Sequence, residues 1–173
     1  MNPMRDIRVT KVTLNIGVGE PGDKLEKAVK LLATISDSKA VKTRTMKRIP
    51  SWGVRPKLEI ACKVTLRGKK ATDLLKRLLA AVDNKIPESK FDNNGNFSFG
   101  IVEYIDIPGV EYNVAIGIIG LEVAVTLERP GFRIKRRLLK KAKVSTKHRI
   151  SQQDAIDFMI KNFGIIAREA EEE

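Results

Sequence analysis

The chain has 173 residues, with 33 Lys and Arg against 21 Asp and Glu, and a formal net charge of +12. A chain of this length forms one ordinary domain and buries about 70% of its unfolded surface, so it folds without disulfides or a structural metal. Its single cysteine, Cys62, excludes an intrachain disulfide and favours a reducing compartment. Charges interrupt the first residues, and no apolar run reaches the roughly 20 residues of a membrane span, so we expect a soluble cytoplasmic protein.

The excess positive charge lies in two segments that contain no Asp or Glu. Residues 38–57 carry seven Lys or Arg, and residues 129–153 carry ten. All 21 acidic residues lie in the remainder of the chain, which is therefore mildly acidic. A solvated surface normally mixes both signs, whereas acid-free blocks suit contact with phosphate groups. The distribution favours a nucleic-acid partner.

The first elements follow from a change of hydrophobic period. Residues 11–18 alternate apolar and polar side chains, which predicts a half-buried strand. Residues 23–36 place apolar side chains three and four positions apart, which predicts a helix. Asp23 and Glu26, three positions later, resemble a capping box at the start of this helix.

The next elements flank a basic loop. A short strand is expected at residues 41–45, and residues 47–57, which contain two Pro and one Gly, are expected to project as a loop. Residues 58–67 have the clearest strand alternation of the chain. A second helix is predicted over residues 70–83, with Pro87 as its stop signal.

Two further strands are predicted in the second half of the chain. Residues 92–95, which read DNNG, are a turn signal, and the alternating residues 97–101 follow them. Residues 113–128 are interpreted as a long apolar strand whose alternation slips in phase. A bulge or a bend near Gly120 would explain that slip.

A last helix is predicted over residues 152–163. Ser151 is its expected N-cap, with Asp154 at the third helical position, and Gly164 is its expected stop. The acidic residues 166–173 are expected to form a disordered tail.

These elements predict an α+β fold in two layers, with a mainly antiparallel sheet, helices packed on one face, and a single domain over residues 1–165. If Leu14, Val41 and Val64 point at the helices, the other face is open. That open face would carry Lys11, Thr13, Asn15, Lys42, Arg44, Lys63, Thr65 and Arg67. Glu59 is its expected acidic exception. An ordinary solvated sheet face is the alternative, but together with the two basic blocks the pattern favours a nucleic-acid platform.

Residues 17–22 read GVGEPG and match the dinucleotide-binding pattern G-x-G-x-x-G. That fingerprint needs a parallel strand after the helix and an acidic residue about 20 positions further on. Here the next segment is short, polar and basic, and Asp37 lies too early. We interpret the stretch as a tight strand-to-helix turn and expect no cofactor. A nucleotide-dependent oxidoreductase is the enzyme alternative that this stretch raises.

No pattern in the sequence is typical of catalysis or metal binding. Cys62 and His148 are too few for a structural zinc site, which uses about four Cys or His ligands. We therefore expect a protein that is not an enzyme and holds no metal.

Trp52 is the only tryptophan of the chain and lies in the basic loop. An exposed ring among cations can stack on a nucleobase, whereas the alternative is a loop anchor that packs on the domain. Because Pro and Gly flank it, we expect Trp52 to be exposed and to contact nucleic acid. Phe97 and Phe99 also have two interpretations, base stacking or core packing, and we expect at least one of them in the core.

Several stretches occur together in an order that identifies a family. KVTLNIGVGE, IACKVTLRG, GLEVAVTLERPGF and STKHRISQQDA appear here as they do in the large-subunit ribosomal protein five family, which binds 5S rRNA. The resemblance extends from Met1 to about Ile165. The KHRIS stretch resembles the archaeal and eukaryotic branch, most of all the archaeal members.

The resemblance implies a structural role in the large ribosomal subunit. Members of the family anchor 5S rRNA in the central protuberance and touch large-subunit rRNA and neighbouring large-subunit proteins. A loop that reaches P-site tRNA and a bridge to a small-subunit protein are also implied. The family's sheet-borne RNA contacts match Asn15, Thr65 and Arg67, with Lys42 and Arg44 on the adjoining strand.

The remaining candidate contacts lie in the two basic segments. In the second block the candidate rRNA contacts are Arg133, Lys135, Arg136, Arg137, Lys147, His148 and Arg149. In the loop the candidate tRNA contacts are Arg48, Ser51, Trp52, Gly53 and Arg55. One departure from the family is Ser36-Asp37-Ser38, where Thr-Gly-Gln is usual, so the family's glutamine contact cannot be carried over. A free-standing RNA chaperone or regulator, which would bind many RNAs alike, is the alternative among binding proteins.

Overall fold

The computed structural model describes residues 2–167 and contains one five-stranded sheet with three α-helices. In chain order the elements are β1 (Arg8–Gly17), α1 (Asp23–Ser36), β2 (Val41–Arg44), β3 (Glu59–Leu66), α2 (Lys69–Ala80), β4 (Phe97–Ile101), β5 (Leu121–Glu128) and α3 (Gln152–Phe163). The strand order is β2-β3-β1-β5-β4, and every neighbouring pair is antiparallel. The predicted α+β class with an open antiparallel sheet is confirmed.

The core lies between the sheet and the helices. Val12, Leu14 and Ile16 alternate along β1 and are at most 3% exposed, because the helices cover this side of the strand. α1 packs on β3 and α2 packs on β1. The residues between them in sequence point to the other side, which the described helices leave uncovered, so that Lys63, Thr65 and Glu122 are exposed there. One contiguous apolar cluster therefore holds the two layers together.

Both phenylalanines of β4 lie on the helix side of the sheet. Phe97 is paired with Val125 and Phe99 with Val123, and both valines are buried. Phe97 is itself only 3% exposed, and its ring stacks on Phe91 with centroids 4.9 Å apart. The expectation that at least one of the two belongs to the core is confirmed.

The boundaries of α3 follow the local signals in the sequence. The Ser151 hydroxyl accepts a hydrogen bond from the Asp154 amide at 3.1 Å, and the Asp154 carboxylate accepts one from the Ser151 amide at 3.3 Å. Gly164 ends the helix in the left-handed conformation, with φ of 66°. The predicted capping box and stop are both confirmed.

Helix α1 has the predicted bounds but not the predicted cap, and α2 ends earlier than predicted. Gly22, with φ of 133°, precedes α1 and no side chain caps the helix, so the predicted capping box at Asp23 is wrong. α2 ends at Ala80, before Pro87 can act as a stop. Asp83 and Asn84 both take the left-handed conformation, and this turn ends the helical path.

The predicted strand over residues 113–128 is also too long. Only Leu121–Glu128 pairs in the sheet, and residues 113–120 form turns and irregular backbone. The phase slip marks the start of the strand and is not a bulge. A Cβ on Gly120 would lie 2.8 Å from the carbonyl oxygen of Val102, so glycine is needed here for the close approach of two chain segments.

The chain is held to the fold just beyond the predicted domain end. The Ile166 amide donates to the Asn84 carbonyl at 2.8 Å, and the Ile86 amide donates to the Ile166 carbonyl at 3.2 Å. The first residue of the predicted tail is thus bonded to the domain, and residues 168–173 lie outside the described residues. None of the described helices is long and apolar enough to cross a membrane.

Candidate nucleic-acid interface

The open face of the sheet carries six of the eight predicted residues together. Lys11, Thr13 and Asn15 come from β1, Lys63 and Thr65 come from β3, and Arg67 directly follows β3. Thr13 is paired with Thr65, their hydroxyl oxygens are 3.5 Å apart, and Asn15 is paired with Lys63. The result is an open surface of cations, hydroxyls and an amide.

Lys42 and Arg44 lie elsewhere than predicted. Val41 is paired with Lys63 and is 55% exposed, whereas Lys42 is paired with the fully buried Cys62. Lys42 therefore points towards the helix side at the sheet edge, where its ammonium donates a hydrogen bond to Glu26 of α1. The phase assumed for β2 was wrong because its register on β3, and not its own sequence, decides which side is buried.

Glu59 belongs to the same edge cluster as these two cations. The register shifts between Thr43 and Arg44, and Arg44 then donates two bonds to one Glu59 oxygen, at 3.1 and 3.0 Å. The Glu59 carboxylate also lies 3.9 Å from the Lys42 ammonium. The hydrogen bond between Lys42 and Glu26 raises the pKa of Lys42 and lowers the pKa of Glu26. Contact of Lys42 or Arg44 with RNA stays a prediction and would compete with these ion pairs.

The acidic residue on the open face is Glu122 of β5. It is paired with Asn15, whose side-chain amide donates a bond of 3.2 Å to the Glu122 carboxylate. The predicted acidic exception, Glu59, lies at the sheet edge instead, and Glu122 was not among the predicted residues of this face. The strict alternation of residues 121–128 was the signal that could have found it, since Leu121 and Val123 are buried on either side.

The basic loop forms a hairpin that presents Trp52 to solvent. Ile49 and Val54 exchange backbone hydrogen bonds of 2.9 and 3.1 Å across its tip. Trp52 is 76% exposed, whereas Val54 is only 4% exposed and anchors the loop on the domain. Gly53, between them, has φ of 68°, which only glycine adopts freely. The other candidate contacts of this loop, Arg48, Ser51 and Arg55, are exposed.

The GVGEPG stretch is a turn packed against β3. The amides of Val18 and Gly19 both donate to the Ile60 carbonyl at 2.9 Å, so the protein itself takes up the donors that a pyrophosphate would need. The strand after α1 is β2, which pairs only with β3 and is antiparallel to it. Residues 2–167 thus contain no parallel β-α-β unit of the kind that a dinucleotide fold needs.

The second basic block holds part of its charge in internal bonds. Arg136 donates to the Glu128 carboxylate at 2.6 Å, and Arg137 donates to the Lys140 carbonyl at 2.8 Å. Arg136 and Arg137 are themselves exposed, as are Arg133, Lys135, Lys147 and Arg149, and within residues 2–167 the side chains of these last four make no hydrogen bond or ion pair. These four side chains are the ones most directly available for phosphate contact.

Two side chains, Arg129 and His148, form bonds that fix the ends of the second basic block in the fold. Arg129 donates to the Arg149 carbonyl at 3.0 Å and to the Asp154 carboxylate at 3.1 Å. A ring nitrogen of His148 lies 2.8 Å from the Pro130 carbonyl oxygen, and the ring packs against Phe132. These contacts join residues far apart in sequence, so no local pattern reveals them. An RNA contact by His148 stays a prediction, since its half-buried ring already has a role within the fold.

The segment that departs from the family ends α1. The Ser36 hydroxyl is buried and donates to the Leu32 carbonyl at 2.6 Å. Asp37 follows in the left-handed conformation, with φ of 46°. The Ser36 side chain is therefore committed to the helix end and is not available to a ligand.

Comparison with known proteins places the chain in a family. The model described as ribosomal protein L5 matches residues 2–55, and the model for the C-terminus of the same ribosomal protein family matches residues 59–159. The large ribosomal subunit protein uL5 of Nanoarchaeum equitans is 52% identical over 165 residues, which cover 95% of this chain and 97% of that protein.

Two other archaeal proteins with the same name are similarly close. That of Sulfurisphaera tokodaii is 49% identical over 166 residues, covering 95% of this chain and 94% of its own length. That of Methanobrevibacter smithii is 46% identical over 165 residues, covering 95% of this chain and 97% of its own length. The chain therefore belongs to the ribosomal protein L5 family and is a structural, non-enzymatic constituent of the large ribosomal subunit.

Proposed function

We propose that the chain binds 5S rRNA through the open face of its sheet and helps to attach it in the central protuberance. The observation that carries this proposal is the uncovered surface on which Lys11, Lys63 and Arg67 surround the hydroxyls of Thr13 and Thr65. Cations bind phosphates, while hydroxyl and amide groups reach 2′-hydroxyls and base edges. As a ribosomal component, the chain acts in the cytoplasm.

The second basic block is proposed to contact large-subunit rRNA. Arg133, Lys135, Lys147 and Arg149 are exposed there, and the bonds of Arg129 and His148 fix the base of the segment that carries them. Cations on a segment with a fixed base lose less conformational entropy on binding than cations on a free chain. The block thus offers a second RNA contact distinct from the sheet.

The loop around Trp52 is proposed to contact P-site tRNA. Its ring is 76% exposed at the tip of a hairpin, with Arg48 and Arg55 nearby in sequence and also exposed. This is the arrangement of a stacking residue among phosphate-binding cations. Neighbouring large-subunit proteins and a small-subunit protein across an intersubunit bridge are the further partners we propose, on the family resemblance.

A binding titration with a matched pair of variants tests the 5S rRNA proposal. The first variant replaces Lys11, Lys63 and Arg67 with glutamine on the open face. The control replaces three exposed lysines of the helix layer, Lys27, Lys30 and Lys76, with glutamine. Both variants lose the same net charge, so a difference between them reports position and not overall electrostatics. Each is titrated with 5S rRNA at several salt concentrations, with tRNA and an unrelated structured RNA as competitors.

We expect the open-face variant to lose affinity for 5S rRNA far more than the control. The slope of log affinity against log salt concentration is negative, and its magnitude should decrease by about 2–3, because each lost phosphate contact removes roughly 0.7–0.9. Equal losses in the two variants would contradict the assignment of the open face. Equal, salt-sensitive binding of the unmodified protein to all three RNAs would favour the alternative, an RNA chaperone.

A further inference from the structure

A shallow depression lies at one end of the open face. Its volume is about 360 Å³, at the lower end of the range for sites that hold small ligands. Gly17, Gly100 and Gly120 line it without any side chain. Asn15 and Glu122 supply its polar groups. The depression therefore combines glycine backbone and apolar residues, among them the exposed Val102, with one amide and one carboxylate.

The negative charge of the Glu122 carboxylate is unfavourable on a surface that is proposed to bind phosphate. It is exposed, and within residues 2–167 it takes part in no ion pair. A negative charge repels phosphate, so on electrostatic grounds it weakens RNA binding. A carboxylate can, however, accept two hydrogen bonds side by side, and in nucleic acid such paired donors occur on the edge of a base.

Asn15 completes the pattern of hydrogen-bonding groups. Its side-chain nitrogen faces the Glu122 carboxylate at 3.2 Å, and the reverse orientation would set two acceptors against each other. This nitrogen has a second N–H group that the bond to Glu122 does not use. The pair therefore offers one donor beside a carboxylate, at a position fixed by the pairing of β1 with β5.

We propose that this depression binds a single unpaired guanine of the RNA and that Glu122 is a specificity-determining residue. Guanine is the base whose Watson–Crick edge carries two adjacent donors, N1–H and N2–H, next to one acceptor, O6. Glu122 accepts from N1–H and N2–H, and Asn15 donates to O6. Adenine and cytosine place an unprotonated ring nitrogen opposite the carboxylate, and uracil has a single donor between two acceptors. The proposal rests on the proposed binding of RNA.

The glycines allow the base to lie flat on the sheet. Gly100 of β4 is paired with Glu122 of β5. A Cβ built on either Gly17 or Gly100 would meet nothing within 4 Å. A side chain at Gly100 would thus project into the depression without disturbing the fold. Lys63, paired with Asn15 on its other side, is placed to hold the phosphate of the same nucleotide.

The test uses the full chain and short oligouridines that carry one central guanosine, inosine or adenosine. Inosine lacks the N2 amine, so it removes one of the two bonds to the carboxylate. We expect the guanosine oligonucleotide to bind roughly tenfold more tightly than the adenosine one, with inosine between them, by fluorescence anisotropy. Equal affinities for the three oligonucleotides would overturn the proposal.

The Glu122→Gln variant separates base recognition from charge, because the two effects have opposite signs. Removing a negative charge tightens binding to every RNA if Glu122 acts only through electrostatics. If Glu122 reads guanine, the variant loses its preference for guanosine and binds that oligonucleotide more weakly than the unmodified protein does. Glu88→Gln, an exposed position beside α3, is the matched control and should leave the preference intact. A tighter complex of the Glu122→Gln variant with the guanosine oligonucleotide would overturn the proposal.

A second variant tests the depression without any change of charge. Gly100→Val adds a β-branched side chain in a strand, where such residues are favoured, and should abolish the guanosine preference while the melting temperature holds. Retained preference in this variant would also overturn the proposal. Failure of the guanine proposal can be distinguished from failure of the proposed function. Tight binding of 5S rRNA together with equal affinities for the three oligonucleotides would refute the guanine site alone. A preference for guanosine without selectivity for 5S rRNA would refute only the proposed role in anchoring 5S rRNA.

Discussion

Replacing Trp52 with alanine should separate binding from folding, because the ring is 76% exposed. About a quarter of its surface is covered by the protein, or about 60 Å² if a tryptophan can bury about 250 Å². At about 25 cal/mol per Å² this gives an upper limit of about 1.5 kcal/mol in the free energy of unfolding. A core tryptophan would lose about 3–5 kcal/mol in the same substitution.

The expected effect on RNA binding is larger than the effect on folding. A ring that stacks on a base contributes about 1–3 kcal/mol, so Trp52→Ala should weaken tRNA binding by about 5–150-fold. Binding of 5S rRNA should be nearly unchanged, since the open face is untouched. Urea denaturation and fluorescence anisotropy with labelled tRNA and 5S rRNA measure the two quantities.

Val54→Ala is the matched control within the same loop. Val54 is 4% exposed, and losing two buried methyl groups should reduce the free energy of unfolding, or of loop anchoring, by about 2 kcal/mol. A loss above about 3 kcal/mol for Trp52→Ala would show that the ring is part of the core. Unchanged tRNA affinity in that variant would refute the stacking role.

Three further substitutions test the fold itself. Ser151→Ala removes the acceptor of the 3.1 Å bond from the Asp154 amide and should reduce the free energy of unfolding by about 1 kcal/mol in urea denaturation; no loss would refute the cap. Gly120→Ala places a methyl group 2.8 Å from the Val102 carbonyl oxygen, so it should reduce the free energy of unfolding by about 1–3 kcal/mol and lower the melting temperature by several degrees. Gly100→Ala is the control, because a methyl group there meets open space and should not lower the melting temperature. Equal melting temperatures of the two variants would contradict the close contact at Gly120. Burial raises the pKa of Cys62 from 9.0 to about 11, so the folded state holds the thiol proton more tightly than the unfolded state. The stability that this pKa difference contributes is complete below pH 9 and is lost as the pH rises to about 11. Over this window the free energy of unfolding should therefore fall by up to about 2.7 kcal/mol more in the unmodified protein than in Cys62→Ala. Parallel pH profiles of the two proteins would refute the shift.

Elements with local signals were predictable from the sequence. α3 begins and ends where Ser151 and Gly164 indicate, because a cap depends on residues within one helical turn. β1 and β3 were found from alternation, and six of the eight predicted open-face residues lie where alternation placed them. The exposure of Trp52 followed from its turn-rich surroundings.

Features that depend on distant partners were not predictable in this way. Lys42 was assigned to the wrong side because β2 has four residues and its register is set by β3, from which it is separated by the loop. The apolar residues 113–120 looked like a strand, but no strand pairs with them there. The Tyr104 hydroxyl instead accepts a bond of 3.0 Å from the Asn113 amide, which holds this segment in a turn.

The position of β1 at the centre of the sheet has a consequence for the synthesis of the chain. β1 is translated first, but its partners follow late: Thr65 lies 52 residues after Thr13, and Glu122 lies 107 residues after Asn15. At about 5–20 residues per second, the second partner emerges roughly 5–20 s after β1. During that interval the edge of β1 that pairs with β5 in the complete sheet has no partner. Folding of the central layer therefore waits for nearly the whole chain, and a nascent chain that stops before β5 exposes an unpaired strand edge open to intermolecular pairing.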